Sequence, residues 1–310
     1  MAEIPLNQLP NEIVLALLEK VAPGSRPSKI ELLPGSFSNH THLVDARLAT
    51  GDSYKIVVRR YKVFGDYDRG EKARREFKTF ELLNRHQVAA PEALLLDETG
   101  EILGSPGIVT RFVEGSLTME APSDTVDWAR KLAKTLARIH SIPCGKDEQS
   151  FLLTGNAEAT WFLKYETAPK YMQDYPGGAD LWQTIRELRA NLREVPPSLL
   201  HIDYWSGNIL WLENEISAVL DWEEAAYGDP AVDLGYARMN MVLLGEPDAA
   251  DEFLRVYESE MGRRVENLGF WELAASVRPM IDPEEWIVGN SKGIRAGVFQ
   301  QFIADARARS

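Results

Sequence analysis

The feature that most limits the fold is a change of hydrophobic period near Gly115. Before it, short apolar runs alternate with turn residues. Residues 30–33 lead into a Pro/Gly/Ser loop at 34–39, then come 43–48, a turn at Thr50, Gly51 and Asp52, and 54–59. That is the pattern of an antiparallel meander. Side chains alternate along a strand, so Tyr54, Ile56 and Val58 share one face while Lys55, Val57 and Arg59 share the other. The first twenty residues read as a short amphipathic helix, closed by Pro23 and Gly24. Residues 71–84 have helical period, with Ala73, Phe77, Phe80 and Leu83 on one face. Two further strand-like runs follow at 93–97 and 107–113. Beyond Gly115 the apolar residues Val126, Ala129, Leu132, Leu136 and Ile139 recur at helical spacing, and 182–192, 249–257 and the tail from Val298 read the same way. An island at 199–221 breaks that pattern, with short runs at 208–212 and 216–220 around a turn at Glu213 and Asn214. The expectation is an α+β fold of two parts, an antiparallel sheet lobe over residues 1–115 and a larger, mainly helical lobe over 116–310.

Composition narrows the function. The 310 residues are 45% hydrophobic and 26% charged, an ordinary globular balance. No apolar run approaches the ~18 residues of a membrane span. The first residues lack the basic-then-apolar order of a secretory signal, and the single cysteine, Cys144, excludes an internal disulfide. Both fit a cytoplasmic protein. The net charge of −13 is unevenly placed: −1 for residues 1–115 and −12 for residues 116–310. An acidic second half repels nucleic acid and anionic lipid and suits a cationic or amino-bearing small molecule.

The chemistry is carried by His201, Asp203 and Asn208 in the pattern H-x-D-x-x-x-x-N, with Asp221 after the short hairpin. Composition alone gives the first three residues at this spacing roughly 0.01 times in such a chain. Phosphoryl transfer asks for a carboxylate beside the attacking hydroxyl, a divalent cation on the phosphate oxygens, and positive charge on the phosphates. Asp203 has the place of the base, on a loop, where it takes the acceptor hydroxyl's proton. Asn208 and Asp221 supply a neutral and an anionic oxygen, a hard donor set that suits Mg²⁺ shared with the phosphates of ATP.

These residues resemble the motif of the aminoglycoside phosphotransferase family, choline kinase-like relatives of the protein kinases. The 18-residue step from Asp203 to Asp221 is similar to the kinase step from catalytic to metal-binding Asp, and the run from Tyr227 to Leu234, with Gly228, Asp229, Pro230 and Asp233, resembles the family's G-D-P-x-x-D-L signature. The resemblance implies a two-lobed, protein-kinase-like fold with ATP and Mg²⁺ as cofactors. It implies that Asp233 braces the catalytic loop and that His201 is structural. It places Arg59 on the phosphates, Val57 over the adenine, Glu76 as the helix carboxylate paired with Arg59, Arg111 and Val113 as backbone partners of adenine, and Ser36 and Ser38 in the nucleotide loop. Three departures stand out. Ile202 occupies a position usually held by Gly, the loop at 34–39 lacks a full G-x-G-x-x-G, and Arg59 replaces the more usual Lys. Trp205 and Trp222, beside the motif, are read as packing residues or a substrate floor. Glu223 and Glu224 are read as a solvated turn or a contact for a cationic substrate. The activity implied is ATP-dependent phosphorylation of a hydroxyl on a small, amino-bearing or cationic acceptor, such as an aminoglycoside, choline or homoserine. The alternative is a nucleotide-binding scaffold without useful turnover. A protein kinase is disfavoured because Gly228 follows Asp221 by only seven residues, too few for an activation loop.

Overall fold

A computed structural model describes residues 5–33, 39–62, 70–118 and 120–310. They form two units. The first is Met1–Glu114 with Ser217–Glu223, and the second is Gly115–Ile216 with Glu224–Ser310. Each has its own apolar core.

In the first unit, α1 (Asn11–Val21) starts after Pro10, which is extended and cannot donate to a preceding turn. Residues 5–9 are not helical, so among the described residues the helix starts later than the sequence pattern suggested. Ile13, Val14, Leu17 and Leu18 are spaced to fall on one side of α1, and all four are buried. They share a core with Val44, Ala46, Ile56, Val58, Leu103 and Val109. The sheet has five antiparallel strands, β1 (Arg26–Leu32), β2 (Asn39–Arg47), β3 (Ser53–Tyr61), β4 (Ala93–Asp97) and β5 (Gly107–Arg111), in the order β1-β2-β3-β5-β4. Val57 lies opposite Leu43 on one side and Thr110 on the other. The chain between β4 and β5 is held by Asp97, whose carboxylate accepts the amides of Gly100, Ile102 and Leu103 at 3.0, 2.8 and 2.6 Å. Helix α2 (Glu71–Arg85) buries Ala73, Glu76, Phe77, Phe80 and Leu83. It begins at Gly70, whose φ of 83° is open to glycine, and a Cβ there would strike the carbonyl of Glu98.

The second unit is built from helices. Thr125–His140 (α3) is capped by Asp124, whose side chain accepts the Asp127 amide at 2.9 Å. It packs against Pro247–Met261, while Ala231–Leu244 packs against Leu268–Ala275. That last pair approaches closely at Gly235, where a Cβ would lie 2.7–2.8 Å from the backbone of Trp271 and Glu272. The helices Ala231–Leu244 and Leu268–Ala275 have no exposed face and therefore no apolar stripe, which is why periodicity did not reveal them. The second strand-like run before Gly115 ends as β5 at Arg111, two residues short of its expected end. Strands Ile209–Leu212 and Glu215–Val219 are joined by Glu213 and Asn214, both at positive φ, the geometry of a primed two-residue turn. No helix among the described residues is long and apolar enough to cross a membrane.

A buried ion pair ties this unit together. Glu272 is fully buried and meets Arg238 Nε at 2.8 Å and Arg309 at 2.8 Å. Removing one partner from such a pair strands the other in a medium that solvates it poorly. Glu272→Ala is expected to cost about 3–5 kcal/mol, lowering the melting temperature by roughly ten degrees in thermal denaturation. A loss below about 1 kcal/mol would show the pair to be dispensable.

Candidate active site

In the first unit, strand alternation separates two neighbouring arginines. Arg60 turns away from its neighbour and donates to Gln8 O at 2.6 Å and Ser105 Oγ at 3.2 Å. Arg59 lies on the same face as Val57, and its guanidinium reaches three carboxylates. Nη1 meets Glu76 Oε1 at 3.2 Å, and Nη2 meets Asp221 Oδ1 at 2.5 Å and Glu223 Oε2 at 3.2 Å. Its Nε is buried and has no partner among the described residues. Glu76 also accepts the Tyr61 hydroxyl, and its Oε1 accepts the Trp222 amide at 3.2 Å. The segment carrying Asp221 is fixed to this unit by that bond, by Val219 N–H to Ala89 O at 2.9 Å, and by Arg75 Nη1 to Glu223 O at 2.6 Å.

Burial shapes the electrostatics of this group. It pushes the Glu76 carboxyl up to about 7 against the pull of Arg59, and the charge of Asp221 adds to the rise. Burial works against the charge on Arg59, but Glu76 and Asp221 outweigh it and hold the guanidinium above its usual range. Asp221 is the most open of the three carboxylates, with its side chain 37% exposed. Its backbone is left-handed, with φ 65°, a conformation that Asp tolerates better than most residues.

Several expected residues take different surroundings. Glu223 is neither a solvated turn residue nor open to a substrate amine, because Asn39, Arg59 and Lys72 all hold its carboxylate. The Arg111 amide already donates to Glu92 O at 2.9 Å, and the Arg111 guanidinium lies 4.0 Å from the Tyr54 ring centroid. The sheet edge thus uses the Arg111 N–H. Val113 follows β5 in irregular chain and is half-buried. Trp222 is fully buried and donates to Val219 O, so it forms no floor, and Trp205 packs at the margin of the second core. Ser36 and Ser38 lie outside the described residues.

In the second unit, the strand Ser198–Leu200 runs into the loop that carries His201, Ile202 and Asp203, followed by the 3₁₀ turn Ser206–Asn208. Asp233, wholly buried in the first turn of Ala231–Leu244, accepts the His201 amide at Oδ2 and the Ile202 amide at Oδ1, both at 2.7 Å. His140 Nε2 stands 3.1 Å from the same carboxylate, and the Tyr257 hydroxyl lies 2.7 Å from His140 Nδ1. His201 Nδ1 accepts the Asp203 amide at 3.3 Å. The two backbone bonds hold Ile202 at φ 73°, the left-handed region. There an L-residue carries a penalty of roughly 1–2 kcal/mol that glycine escapes. Ile202 buries its side chain in the core, which offsets that strain.

Asp203 is held at both oxygens. Asn208 Nδ2 donates to its Oδ2 at 2.8 Å and to its backbone carbonyl at 2.9 Å, and Arg278 Nη1 lies 3.2 Å from its Oδ1. With its amide nitrogen so used, Asn208 has its amide oxygen as the atom to offer a cation. Arg278 Nη2 also meets Glu224 Oε2 at 3.4 Å, and its guanidinium lies 4.8 Å from the Tyr236 ring centroid. Burial opposes its charge, yet Tyr236, Glu224 and Asp203 hold it above the usual range. Glu224 is thus an ion-pair partner of Arg278 rather than a plain turn residue. Nothing in the sequence pointed to Arg278, which lies 75 residues beyond Asp203 in a stretch with no motif.

Among the described residues no group of three or more His, Cys, Asp or Glu side chains could hold a metal ion. Asn208 and Asp221 each carry a hard oxygen of the kind that suits Mg²⁺, which keeps several waters and takes few protein ligands.

Comparisons with known proteins bear on the family and the fold. The chain is 29% identical over 187 residues to acyl-CoA dehydrogenase family member 11 of Gallus gallus, covering 54% of this chain and 22% of that protein. It is 34% identical over 115 residues to 4-hydroxytryptamine kinase of Psilocybe cyanescens, covering 33% of this chain and 31% of that one. It therefore spans only about a fifth to a third of the length of these relatives. The crystal structure of a spectinomycin phosphotransferase in complex with ADP and spectinomycin shares the fold, with a TM-score of 0.62 at 14% identity, over 95% of this chain and 93% of that one. Residues 29–268 match the model of the phosphotransferase enzyme family, APH. A match over the greater part of the sequence, on the fold of those enzymes, means that this chain belongs to the APH phosphotransferase family.

Proposed function

We propose that the protein transfers the γ-phosphate of ATP to a hydroxyl of a small molecule. The observation that carries this reading is the state of Asp203. Its carboxylate is held at both oxygens, and its loop is pinned by Asp233 through two backbone amides. A general base must aim one lone pair at one hydroxyl, and that restraint supplies the aim. Asp203 accepts the hydroxyl proton as the new O–P bond forms and the bond to the leaving ADP oxygen breaks.

Other residues divide the remaining work. Asn208 and Asp221 each offer an oxygen to magnesium. The cation, when bound, offsets charge on the β- and γ-phosphate oxygens. Arg59 supplies positive charge to the phosphates, and Glu76 orients it; the unpartnered Nε of Arg59 supports that role. Val57, on the same strand face as Arg59, covers the adenine, and Val113 offers it a backbone contact. Ser36 and Ser38, outside the described residues, would add hydroxyls for the phosphates. Support for a hydroxyl acceptor and an adenine nucleotide also comes from the relatives, one named as a hydroxytryptamine kinase and one crystallised with ADP and spectinomycin. The −12 charge on residues 116–310 favours an amino-bearing or cationic acceptor.

Two experiments test this reading. With Mg-ATP and a panel of amino- and hydroxyl-bearing acceptors, ADP release should depend on the acceptor. Asp203→Ala should lower kcat by about 10²–10⁴ while nucleotide affinity, read by calorimetry, stays within a few-fold. Unchanged turnover in that variant would remove Asp203 from the base role. Chelation by EDTA should abolish turnover and added Mg²⁺ should restore it. Asn208→Ala and Asp221→Asn should each need more Mg²⁺ for half-maximal rate. A wild-type magnesium dependence in both variants would reject them as ligands.

A further inference from the structure

Among the described residues, Arg278 is a charged group in contact with Asp203 that no motif of the family accounts for. It lies in the 3₁₀ turn Arg278–Met280, directly after Leu268–Ala275. Its neighbours Val277, Pro279 and Met280 are all buried, so its backbone is fixed by packing. Its side chain is fixed at three further points. The guanidinium faces the ring of buried Tyr236, Nη2 meets Glu224 Oε2, and Nη1 meets Asp203 Oδ1. All of these groups belong to the second unit.

A carboxylate with one donor can still pivot about its last side-chain torsion, which is broad and poorly restrained. Asn208 Nδ2 holds Asp203 Oδ2, Arg278 Nη1 lies on Oδ1, and the buried Tyr236 hydroxyl also donates to this carboxylate. Together they remove the pivot. An ionised carboxylate has about four lone-pair sites, so these donors still leave room for an acceptor hydroxyl. The planar guanidinium suits this work better than an ammonium would. Its two Nη groups span Asp203 and Glu224 at once, and its flat face stacks on an aromatic ring.

We infer that Arg278 is the positioning residue of the base, fixing the Asp203 carboxylate for proton abstraction while Glu224 and Tyr236 hold Arg278 itself in place. The inference rests on the assignment of Asp203 as base. It assigns to Arg278 an effect on the rate of the transfer step, exerted through Asp203, and no part in binding nucleotide or acceptor.

The test is a set of variants assayed with Mg-ATP and the best acceptor of the panel, or with water as acceptor if none is turned over. Arg278→Met should lower kcat roughly 10- to 100-fold, a fraction of the full general-base contribution, with KM for Mg-ATP and for the acceptor within about twofold. Arg278→Lys should recover part of that loss, because an ammonium reaches Oδ1 but cannot also span to Glu224. Glu224→Gln should lower kcat by a few-fold. Added to Asp203→Ala, Arg278→Met should bring no further loss, because groups that act as a unit are non-additive. A wild-type kcat in Arg278→Met alongside an inactive Asp203→Ala would overturn the positioning role and leave the base intact. A fully active Asp203→Ala would instead overturn the base assignment beneath it. A raised acceptor KM with unchanged kcat would make Arg278 a recognition residue, and a further loss in the Asp203→Ala background would give it a role independent of the base. Either result defeats the inference. Should Arg278→Met fail to fold by circular dichroism, Arg278→Lys and Glu224→Gln decide the matter by the same kcat and KM readings.

Discussion

The second unit is organised around one buried carboxylate. Asp233 accepts two consecutive backbone amides, from His201 and Ile202, and borders His140, which in turn meets Tyr257. Backbone donors buried away from water must be satisfied, and a carboxylate does so more strongly than a neutral acceptor. These bonds hold Ile202 in a backbone region that disfavours it, and the next residue is Asp203. The strain at one position and the placement of Asp203 at the following one are thus a single arrangement. It draws on α3, the catalytic loop and two later helices, which explains why so much of the helical architecture converges there.

The first unit follows a different logic. Its functional side chains come from a strand, a helix and a segment more than a hundred residues downstream, and they are gathered by charge. Arg59 sits among Glu76, Asp221 and Glu223, with Lys72 and Asn39 also on Glu223. A guanidinium has five donors in a fixed fork and can serve several carboxylates at once. Lys in its place would offer a compact charge with no such reach.

Much of this was legible in the residues. Alternation along β3 separated Arg59 from Arg60, because a strand's faces follow from parity alone. The H-x-D-x-x-x-x-N spacing picked out Asp203 and Asn208, whose side chains are hydrogen-bonded to each other in the structure. The family resemblance extended to a fold that the chain does adopt. What escaped has physical reasons. Ala231–Leu244 and Leu268–Ala275 are buried all round, so they carry no amphipathic signal. Glu223 looked like a turn residue because its partners Asn39 and Lys72 lie more than 150 positions away. Arg278 lies in a stretch with no pattern, and only folding brings it to Asp203. Ile202 looked like a defect where glycine is usual, until its positive φ and its burial showed one residue meeting a backbone demand and a packing demand together.

The crowding of carboxylates on Arg59 bears on which anions the first unit admits. A lone phosphate or sulfate would compete for the guanidinium with anions tethered to the same chain, and tethering gives those rivals a high effective concentration. Displacing Asp221 would also leave that carboxylate without its counter-charge. On the proposed reading, a nucleotide bound with its own divalent ion would meet neither obstacle, its oxygens taking the arginine while its metal takes the aspartate. On that reading, a double exchange of salts would discriminate by composition as well as by shape, and it would keep Arg59 from being taken by the simple anions that surround any protein in a cell.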